Sequence, residues 1–119
     1  MIATAKARFV RISSRKVKLV IDLIRGKNVE EAYNILRFTR KAAAEPVRKL
    51  VQSAYSNAVN QMGSFDLEAN QVMVNSIRVD QGPTYKRWMS RAMGRATPVP
   101  KRSSHITVEL DVPDVVAVQ

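Results

Sequence analysis

The chain has 119 residues, and its 20 Lys and Arg against 10 Asp and Glu give a formal charge of +10 with a pI near 10.6. This length fits one domain, and 45% hydrophobic residues supply more apolar surface than a disordered chain has. Such a positive charge indicates a polyanionic partner, with nucleic acid first and an anionic membrane second. The membrane is disfavoured because the apolar run 17–24 is interrupted by Lys18 and Asp22, and is far shorter than the roughly 20 residues of a span.

Processing and redox signals are also lacking in the sequence. We find no hydrophobic region of a signal peptide at the N-terminus, so export is not expected. The absence of Cys rules out disulfides and thiolate metal sites, and this suits a reducing compartment.

The N-terminal quarter predicts a strand followed by a helix. The strand alternates imperfectly, and the side chains predicted on its inner side are Ala3, Ala5, Ala7 and Phe9. Ser13 or Ser14 is expected to cap the helix, and Gly26 is expected to end it in a left-handed conformation. The apolar stripe of this helix comprises Val17, Val20, Ile21 and Ile24.

Two further helices are predicted between residues 28 and 62. The second begins after Asn28, whose spacing to Glu31 resembles a capping box, and ends near Phe38. Thr39 is the predicted cap of the third helix, in which Pro46 predicts an early kink or a late start. The predicted stripe of the third helix comprises Val47, Leu50, Val51, Ala54, Ala58 and Met62.

The remaining body elements are two strands. In the first, Val72 and Val74 would lie on one face of a regular strand, and Ile77 and Val79 on the other. A β-bulge near Asn75–Ser76 is therefore expected to turn all four side chains towards the core. In the second, Ile106, Val108, Leu110 and Val112 alternate with polar residues, and Pro113 ends the strand. We therefore predict an α+β fold in which three helices pack on a small three-stranded antiparallel sheet.

A long basic β-hairpin is expected to protrude from this body. The segment Gly82–Ser104 contains no acid and lies between two strands, and its bases are Lys86, Arg87, Arg91, Arg95, Lys101 and Arg102. Pro98 and Pro100 predict interrupted pairing on the return arm, and arms of ten residues would reach on the order of 30 Å. The predicted single domain, 1–119, then divides into a body (1–79 and 105–112), a hairpin of about 80–104 and a flexible tail (113–119).

The hairpin is not the only basic segment. Residues 1–27 contain eight bases and the single acid Asp22. Tyr85, Trp88 and two Met lie among the hairpin bases, a combination typical of surfaces that pair with phosphates and stack on unpaired bases. Both segments are therefore predicted to contact nucleic acid.

Catalysis is not predicted. His105 is the only histidine, it lies on the outward side of its strand, and no acid is placed beside it by the sequence. The scattered acids show no metal-ligand spacing, so neither a metal nor another cofactor is expected. Two functions compatible with the charge stay open at this point: a free-standing RNA chaperone or nucleic-acid-binding regulator, and a basic nuclease.

The hairpin and three other blocks resemble a known family. Lys86–Arg95 has the pattern Lys-x4-Arg-Ala-Met-Gly-Arg, and the block His105–Leu110 follows after nine residues. Together with the blocks 10–27, 53–61 and 79–87, these motifs resemble the large-subunit ribosomal protein uL22 family of bacterial type. The resemblance extends over nearly the whole chain.

This resemblance implies a structural protein that binds 23S rRNA and neighbouring ribosomal proteins, in the cytoplasm or in an organelle, without acting as an enzyme. It also implies a role in subunit assembly and a hairpin tip in the wall of the peptide exit tunnel, where the nascent peptide passes and macrolide antibiotics bind nearby. The residues assigned to the tip are Tyr85, Lys86, Arg87, Trp88 and Met89. Those assigned to rRNA contact are Arg11, Arg15, Lys16, Lys18, Lys86, Arg87, Arg91, Arg95, Lys101, Arg102 and His105.

Overall fold

The computed structural model describes residues 2–62, 68–90, 94 and 96–112. Its elements are β1 (Ile2–Val10), α1 (Ser14–Ile24), α2 (Val29–Phe38), α3 (Ala44–Met62), a 3-10 turn (Ala69–Gln71), β2 (Met73–Gln81), β3 (Tyr85–Ser90), β4 (Ala96–Lys101) and β5 (Ser104–Asp111). The strands β1, β5 and β2 form one antiparallel sheet in that order, and β3 pairs with β4. The predicted α+β class, with three helices and a three-stranded sheet, is confirmed.

The core lies between the helices and the sheet. The stripe predicted for α1 is buried, and so is that of α3 from Val47 to Ala58, whereas the side chain of Met62 lies outside the described part of the structure. Helix α2 contributes Ala32 and Leu36, and the central strand β5 contributes alternate side chains. The main core residues are Val17, Val20, Ile21, Ile24, Ala32, Leu36, Val47, Leu50, Val51, Ala54, Ala58, Ile77, Ile106, Val108 and Leu110. Removing these side chains from water is the principal source of the stability of the body.

The connection between α1 and α2 is fixed to the edge of the sheet. Gly26 has φ +81°, which ends α1, and its N–H donates to the carbonyl of Val74. The N–H of Val74 donates to the carbonyl of Lys27, and Asn28 caps α2 by accepting from the N–H of Glu31. The two helices and their turn are therefore part of the body, with the turn hydrogen-bonded to β2.

The prediction that Thr39 caps α3 is wrong. Thr39 ends α2 instead, because its N–H donates to the carbonyl of Leu36 and its hydroxyl donates to the carbonyl of Ile35. The helix α3 begins at Ala44, so the predicted late start is confirmed. Pro46 then lies in the first turn, where its missing N–H removes no helical hydrogen bond.

The two outer strands of the sheet are both irregular. The register of β2 on β5 shifts between Val74 and Ser76, so the predicted bulge is confirmed. In β1 the register shifts between Ala7 and Val10, and Phe9, at φ +58°, is 57% exposed. The prediction that Phe9 continues the inner side of β1 is therefore wrong, because the irregularity breaks the alternation beyond Ala7.

Strands β3 and β4 form a separate two-stranded antiparallel sheet, called the ribbon below. Its register is continuous from Tyr85 opposite Lys101 to Ser90 opposite Ala96, so the predicted interruption by the prolines is wrong. Pro98 and Pro100 are two residues apart and therefore have the same orientation in the strand. A strand of a two-stranded sheet has one free edge, and proline is tolerated where its nitrogen faces that edge. The described structure extends over 75 × 24 × 18 Å.

The body and the ribbon are joined by a tightly packed pair of segments. The N–H of Gly82 donates to the carbonyl of Ser103 at 2.9 Å, and the buried Ser103 hydroxyl donates to the carbonyl of Pro83 at 2.6 Å. A Cβ atom at position 82 would lie 2.7 Å from the Ser103 Oγ and 3.3 Å from the ring of His105. Only glycine fits between these two neighbours without displacing one of them.

We expect Gly82→Ala to lower the free energy of unfolding by about 1–3 kcal/mol, because the added methyl group must displace the Ser103 hydroxyl from its hydrogen bond. Urea denaturation measures this loss. The matched control is Gly26→Asn, since nothing lies within 4 Å of a Cβ there and Asn accepts positive φ more readily than other residues. A smaller loss for Gly82→Ala than for Gly26→Asn would contradict the close packing.

Candidate nucleic-acid interface

A broad concave surface lies between the start of α1 and the body end of the ribbon. This surface, called the basic cleft below, has a volume of about 710 Å³. It is lined by Arg11, Ile12, Ser13, Lys16, Ala42, Tyr85, Arg87, Pro100, Lys101 and Arg102. The two basic segments, which lie far apart in the sequence, therefore meet at one site.

The positive charge of the basic cleft is not neutralised by the protein itself. The five cations of the lining are all exposed, and within the described residues no acid lines the cleft or pairs with them. Elsewhere in the body the situation differs: Arg25 pairs with Asp22 at 2.5 Å, and Arg78 pairs with Asp80 at 3.8 Å. The cleft is thus a concentration of free positive charge, which attracts an anionic partner.

The start of α1 adds to the attraction of the cleft for anions. The side chain of Ser13 caps the helix by accepting from the N–H of Lys16, and the first turn contains no acid. The partial positive charge of a helix N-terminus adds to the field of Arg11 and Lys16, which lie on either side of the cap. This part of the cleft has its donors in place before a ligand arrives.

The register of the ribbon explains which of its side chains reach the cleft. Tyr85 and Arg87 are two residues apart on β3 and share one face, and Lys101 lies directly opposite Tyr85 on β4. Lys86 and Trp88 belong to the other face, where Trp88 is opposite Pro98 and is 67% exposed. The ribbon therefore has cations on both faces and an exposed aromatic ring on one.

The sequence-predicted residues are distributed in three groups. The cleft contains Arg11, Lys16, Tyr85, Arg87, Lys101 and Arg102. Exposed positions outside its lining, on α1 and on the opposite face of the ribbon, are occupied by Arg15, Lys18, Lys86 and Trp88. Arg91, Arg95 and the tail 113–119 lie outside the described residues, and Met89 is described only by its backbone pairing with Thr97.

The five residues predicted for the tip occupy β3. Tyr85, at the start of β3, contributes to the basic cleft, whereas Ser90 and Ala96 pair at the far end of the ribbon, next to the connecting residues 91–95. The predicted tip segment thus runs along the length of the ribbon rather than around its turn. Its contact with a tunnel wall stays a prediction.

His105 has a structural contact that the sequence analysis did not anticipate. It is half-buried at the start of β5, where its Nδ1 accepts from the N–H of Phe9 at 3.1 Å. The two rings are in edge-to-face contact, with centroids 4.9 Å apart. Because Nδ1 is an acceptor, the proton of the neutral ring is on Nε2. Contact of His105 with rRNA stays a prediction.

Four residues of the lining were not among the predicted site residues. Ser13 had a usable signal, because a helix cap next to basic residues marks an anion-binding N-terminus. Pro100 could not have been placed by strand pairing, because it pairs with Lys86 of the other face of the ribbon. Ile12 and Ala42 gave no signal, since their side chains carry no charge and their position in the lining depends on the tertiary fold.

No group of three or more His, Asp or Glu side chains among the described residues is arranged to hold a metal ion. No described helix has the length and apolarity needed to cross a bilayer.

The structure is thus that of a small α+β protein with an exposed cationic cleft between its body and its ribbon. The chain belongs to the family described as ribosomal protein L22p/L17e, whose model matches residues 5–111. It is 52% identical to large ribosomal subunit protein uL22 of Myxococcus xanthus, over 92% of this chain and 96% of that protein. It is 55% identical to the uL22 protein of Desulfitobacterium hafniense strain Y51, over 89% and 90% of the two chains. The corresponding protein of Thermus thermophilus is 54% identical, over 92% and 95%.

This membership confirms the family resemblance, a structural role in the large ribosomal subunit, and the prediction that the protein is not an enzyme. The relatives come from bacteria, in agreement with the predicted bacterial type. The alternatives of a basic nuclease and of a free regulator are therefore set aside.

The contact between Phe9 and His105 can be tested by substitution. We expect His105→Ala to lower the free energy of unfolding by about 1–2 kcal/mol, because the Phe9 N–H loses its acceptor and the ring pair is lost. Phe9→Leu is the matched control, since it keeps the backbone hydrogen bond and removes only the ring contact, and it should cost less. If thermal denaturation gives the same loss of free energy of unfolding for both variants, the hydrogen bond to Nδ1 does not contribute to stability.

Proposed function

We propose that this protein binds 23S rRNA through the basic cleft and the ribbon, supports assembly of the large subunit, and lines part of the peptide exit tunnel with the ribbon. The observation that carries the proposal is the meeting of two basic segments of the sequence in one cleft that no described acid lines. Membership of a ribosomal protein family makes rRNA the polyanion to be expected there.

The chemistry of the cleft suits phosphate groups. Arg11, Arg87 and Arg102 carry planar guanidinium groups that bind phosphate in bidentate fashion, and Lys16 and Lys101 add compact charges. Each phosphate that is neutralised releases condensed counterions, and this release makes the affinity large at low salt and strongly salt-dependent. The cleft provides this electrostatic part of binding, which needs no particular base sequence.

The tertiary arrangement of the cleft supports a role in assembly. Its cations come from α1 and from both strands of the ribbon, so one RNA segment in the cleft contacts the body and the ribbon together. The exposed bases Arg15, Lys18 and Lys86 lie outside the lining and are free to contact further segments. A protein that contacts several rRNA segments at once lowers the repulsion between their phosphates and holds them in a common geometry.

The exposed aromatic side chains of the ribbon suit a position between RNA segments and in the tunnel wall. Trp88 and Tyr85 are 67% and 41% exposed, an unfavourable arrangement in water that stacking on unpaired bases would offset. In this proposal the ribbon lies between 23S rRNA segments beside neighbouring ribosomal proteins, and its far end approaches the nascent peptide and the region where macrolides bind. The family resemblance supports this placement.

Phosphate contact in the cleft predicts a measurable change in salt dependence. We expect Lys101→Ala to reduce the slope of log K against log salt by about one unit for binding to 23S rRNA, and Arg91→Ala to do the same. Filter binding over a series of salt concentrations measures the slope. Lys49→Ala is the matched control, because Lys49 is exposed and lines neither the cleft nor the ribbon. A slope for Lys101→Ala equal to that of the control would show that Lys101 does not meet phosphate.

The tunnel placement can be tested with a single thiol, because the chain contains no cysteine. We expect Trp88→Cys, in assembled ribosomes that carry a stalled nascent chain with one cysteine, to form a crosslink with a short bismaleimide. Leu19→Cys is the control, since Leu19 is similarly exposed but lies on α1 of the body. Crosslinking of the nascent chain to position 19 and not to position 88 would refute the tunnel placement of the ribbon.

A further inference from the structure

A second concave surface lies between α2 and α3, on the other side of the loop 39–43. This surface, called the helical groove below, has a volume of about 650 Å³. It is lined by Tyr33, Asn34, Leu36, Arg37, Thr39, Lys41, Ala44, Glu45, Arg48 and Gln52. None of these residues was singled out by the sequence analysis as part of a functional site.

The helical groove has an excess of positive charge. Arg37, Lys41 and Arg48 lie in the lining with a single acid, Glu45. Glu45 is shared, because it lies 3.9 Å from Arg48 and 3.6 Å from Lys49, and it is 66% exposed. Such long and solvated ion pairs are weak, so Glu45 does not neutralise the groove.

The lining also contains a buried hydroxyl without a protein partner. The Oη of Tyr33 is inaccessible to solvent and makes no hydrogen bond with the described residues. Burial raises the pKa of Tyr33, the nearby Tyr55 raises it further, and Arg48 opposes them. The hydroxyl is therefore protonated at neutral pH and can donate to an anionic oxygen once a small side-chain movement opens it to the groove.

An exposed aromatic ring lies beside the helical groove. Phe38, the last residue of α2, is 78% exposed, the largest exposure among the large apolar side chains described. The guanidinium carbon of Arg37, which lines the groove, lies 5.7 Å from the centre of the Phe38 ring. An aromatic ring next to a cationic groove is the arrangement by which proteins bind unpaired nucleotides, with the base on the ring and the phosphate on the cations.

We infer that the helical groove binds one unpaired nucleotide of rRNA, with its phosphate between Arg37, Lys41 and Arg48 and its base stacked on Phe38. The inference rests on the proposed function, because it assigns a second contact with the same RNA partner. It extends that function to a face of the protein that carries neither the basic cleft nor the ribbon.

The position of the groove favours RNA as its occupant. Ala42 lines the basic cleft, whereas Lys41 and Ala44 line the helical groove, so only the loop 39–43 separates the two sites. Arg40, on this loop, is exposed and adds a further cation to it. A strand of RNA that leaves the cleft therefore meets a continuous path of positive charge to the groove.

Two substitutions test this site, one in the ring proposed to stack on the base and one in a cation proposed to bind the phosphate. The measurement is the affinity of the full chain for transcribed 23S rRNA. We expect Phe38→Ala to weaken binding by at least about fivefold through loss of stacking. Lys41→Gln should reduce the slope of log K against log salt by about 0.7, the value for one phosphate of a single strand. The controls are Leu19→Ala, an exposed apolar residue on α1, and Lys49→Gln, an exposed base outside the groove. Circular dichroism checks that each variant is folded.

The outcomes separate this inference from the proposed function. If Lys101→Ala lowers the salt slope while Phe38→Ala and Lys41→Gln behave like their controls, the groove does not bind RNA and the proposed function stands. If the unsubstituted chain fails to bind 23S rRNA, both the proposed function and the inference about the helical groove are wrong. A loss of affinity for Phe38→Ala together with a lower slope for Lys41→Gln supports the assignment of an unpaired nucleotide to the groove.

Discussion

Repulsion between like charges is the constraint on which the rest of this structure depends. Five cations from distant parts of the sequence share the basic cleft, and no described acid lies among them. Two unit charges 4 Å apart repel by about 1 kcal/mol in water and by more near a protein surface. The chain holds this arrangement because a large apolar core, formed by three helices and β5, fixes the start of α1 relative to the sheet. A polyanion that enters the cleft reduces this repulsion. Because the core holds the cations close together, the bound state is favoured over the free state.

The junction between body and ribbon fixes the orientation of the ribbon side of the cleft relative to the core. Strands β2 and β5 belong to the body sheet, and each is joined to one strand of the ribbon through a short connection. The hydrogen bond from Gly82 to Ser103 lies between these connections, and Ser103 and Ser104 are buried there. Because Gly82 has no side chain, Ser103 and His105 approach its backbone closely. Packing of the body thus sets the direction in which the ribbon leaves it.

Much of the fold could be predicted from the sequence, because local patterns determine it. The apolar stripe of α1 follows from the helical period of its sequence. The bulge in β2 follows because its apolar residues change from even to odd positions, and only an extra residue in the strand keeps them all on the buried face. Thr39 was assigned to the wrong helix because a threonine hydroxyl can satisfy either a helix start or a preceding carbonyl. The meeting of Arg11 with Lys101 and the pairing of Phe9 with His105 are contacts between distant segments, and no local pattern encodes them. The candidate site was therefore predictable as a set of cations and not as a cleft.

The division between body and ribbon has a consequence for the proposed binding of rRNA. The body has a buried core that holds the start of α1, so the donors there are in place before binding. A two-stranded sheet is marginally stable in water, and within the described residues β3 and β4 pair only with each other. In the proposed complex, the rRNA would therefore stabilise the ribbon by neutralising the cations on both of its faces and by covering Trp88. Binding is then expected to begin at the preformed body surface and to proceed outwards along the ribbon, because only the body has its geometry fixed in advance.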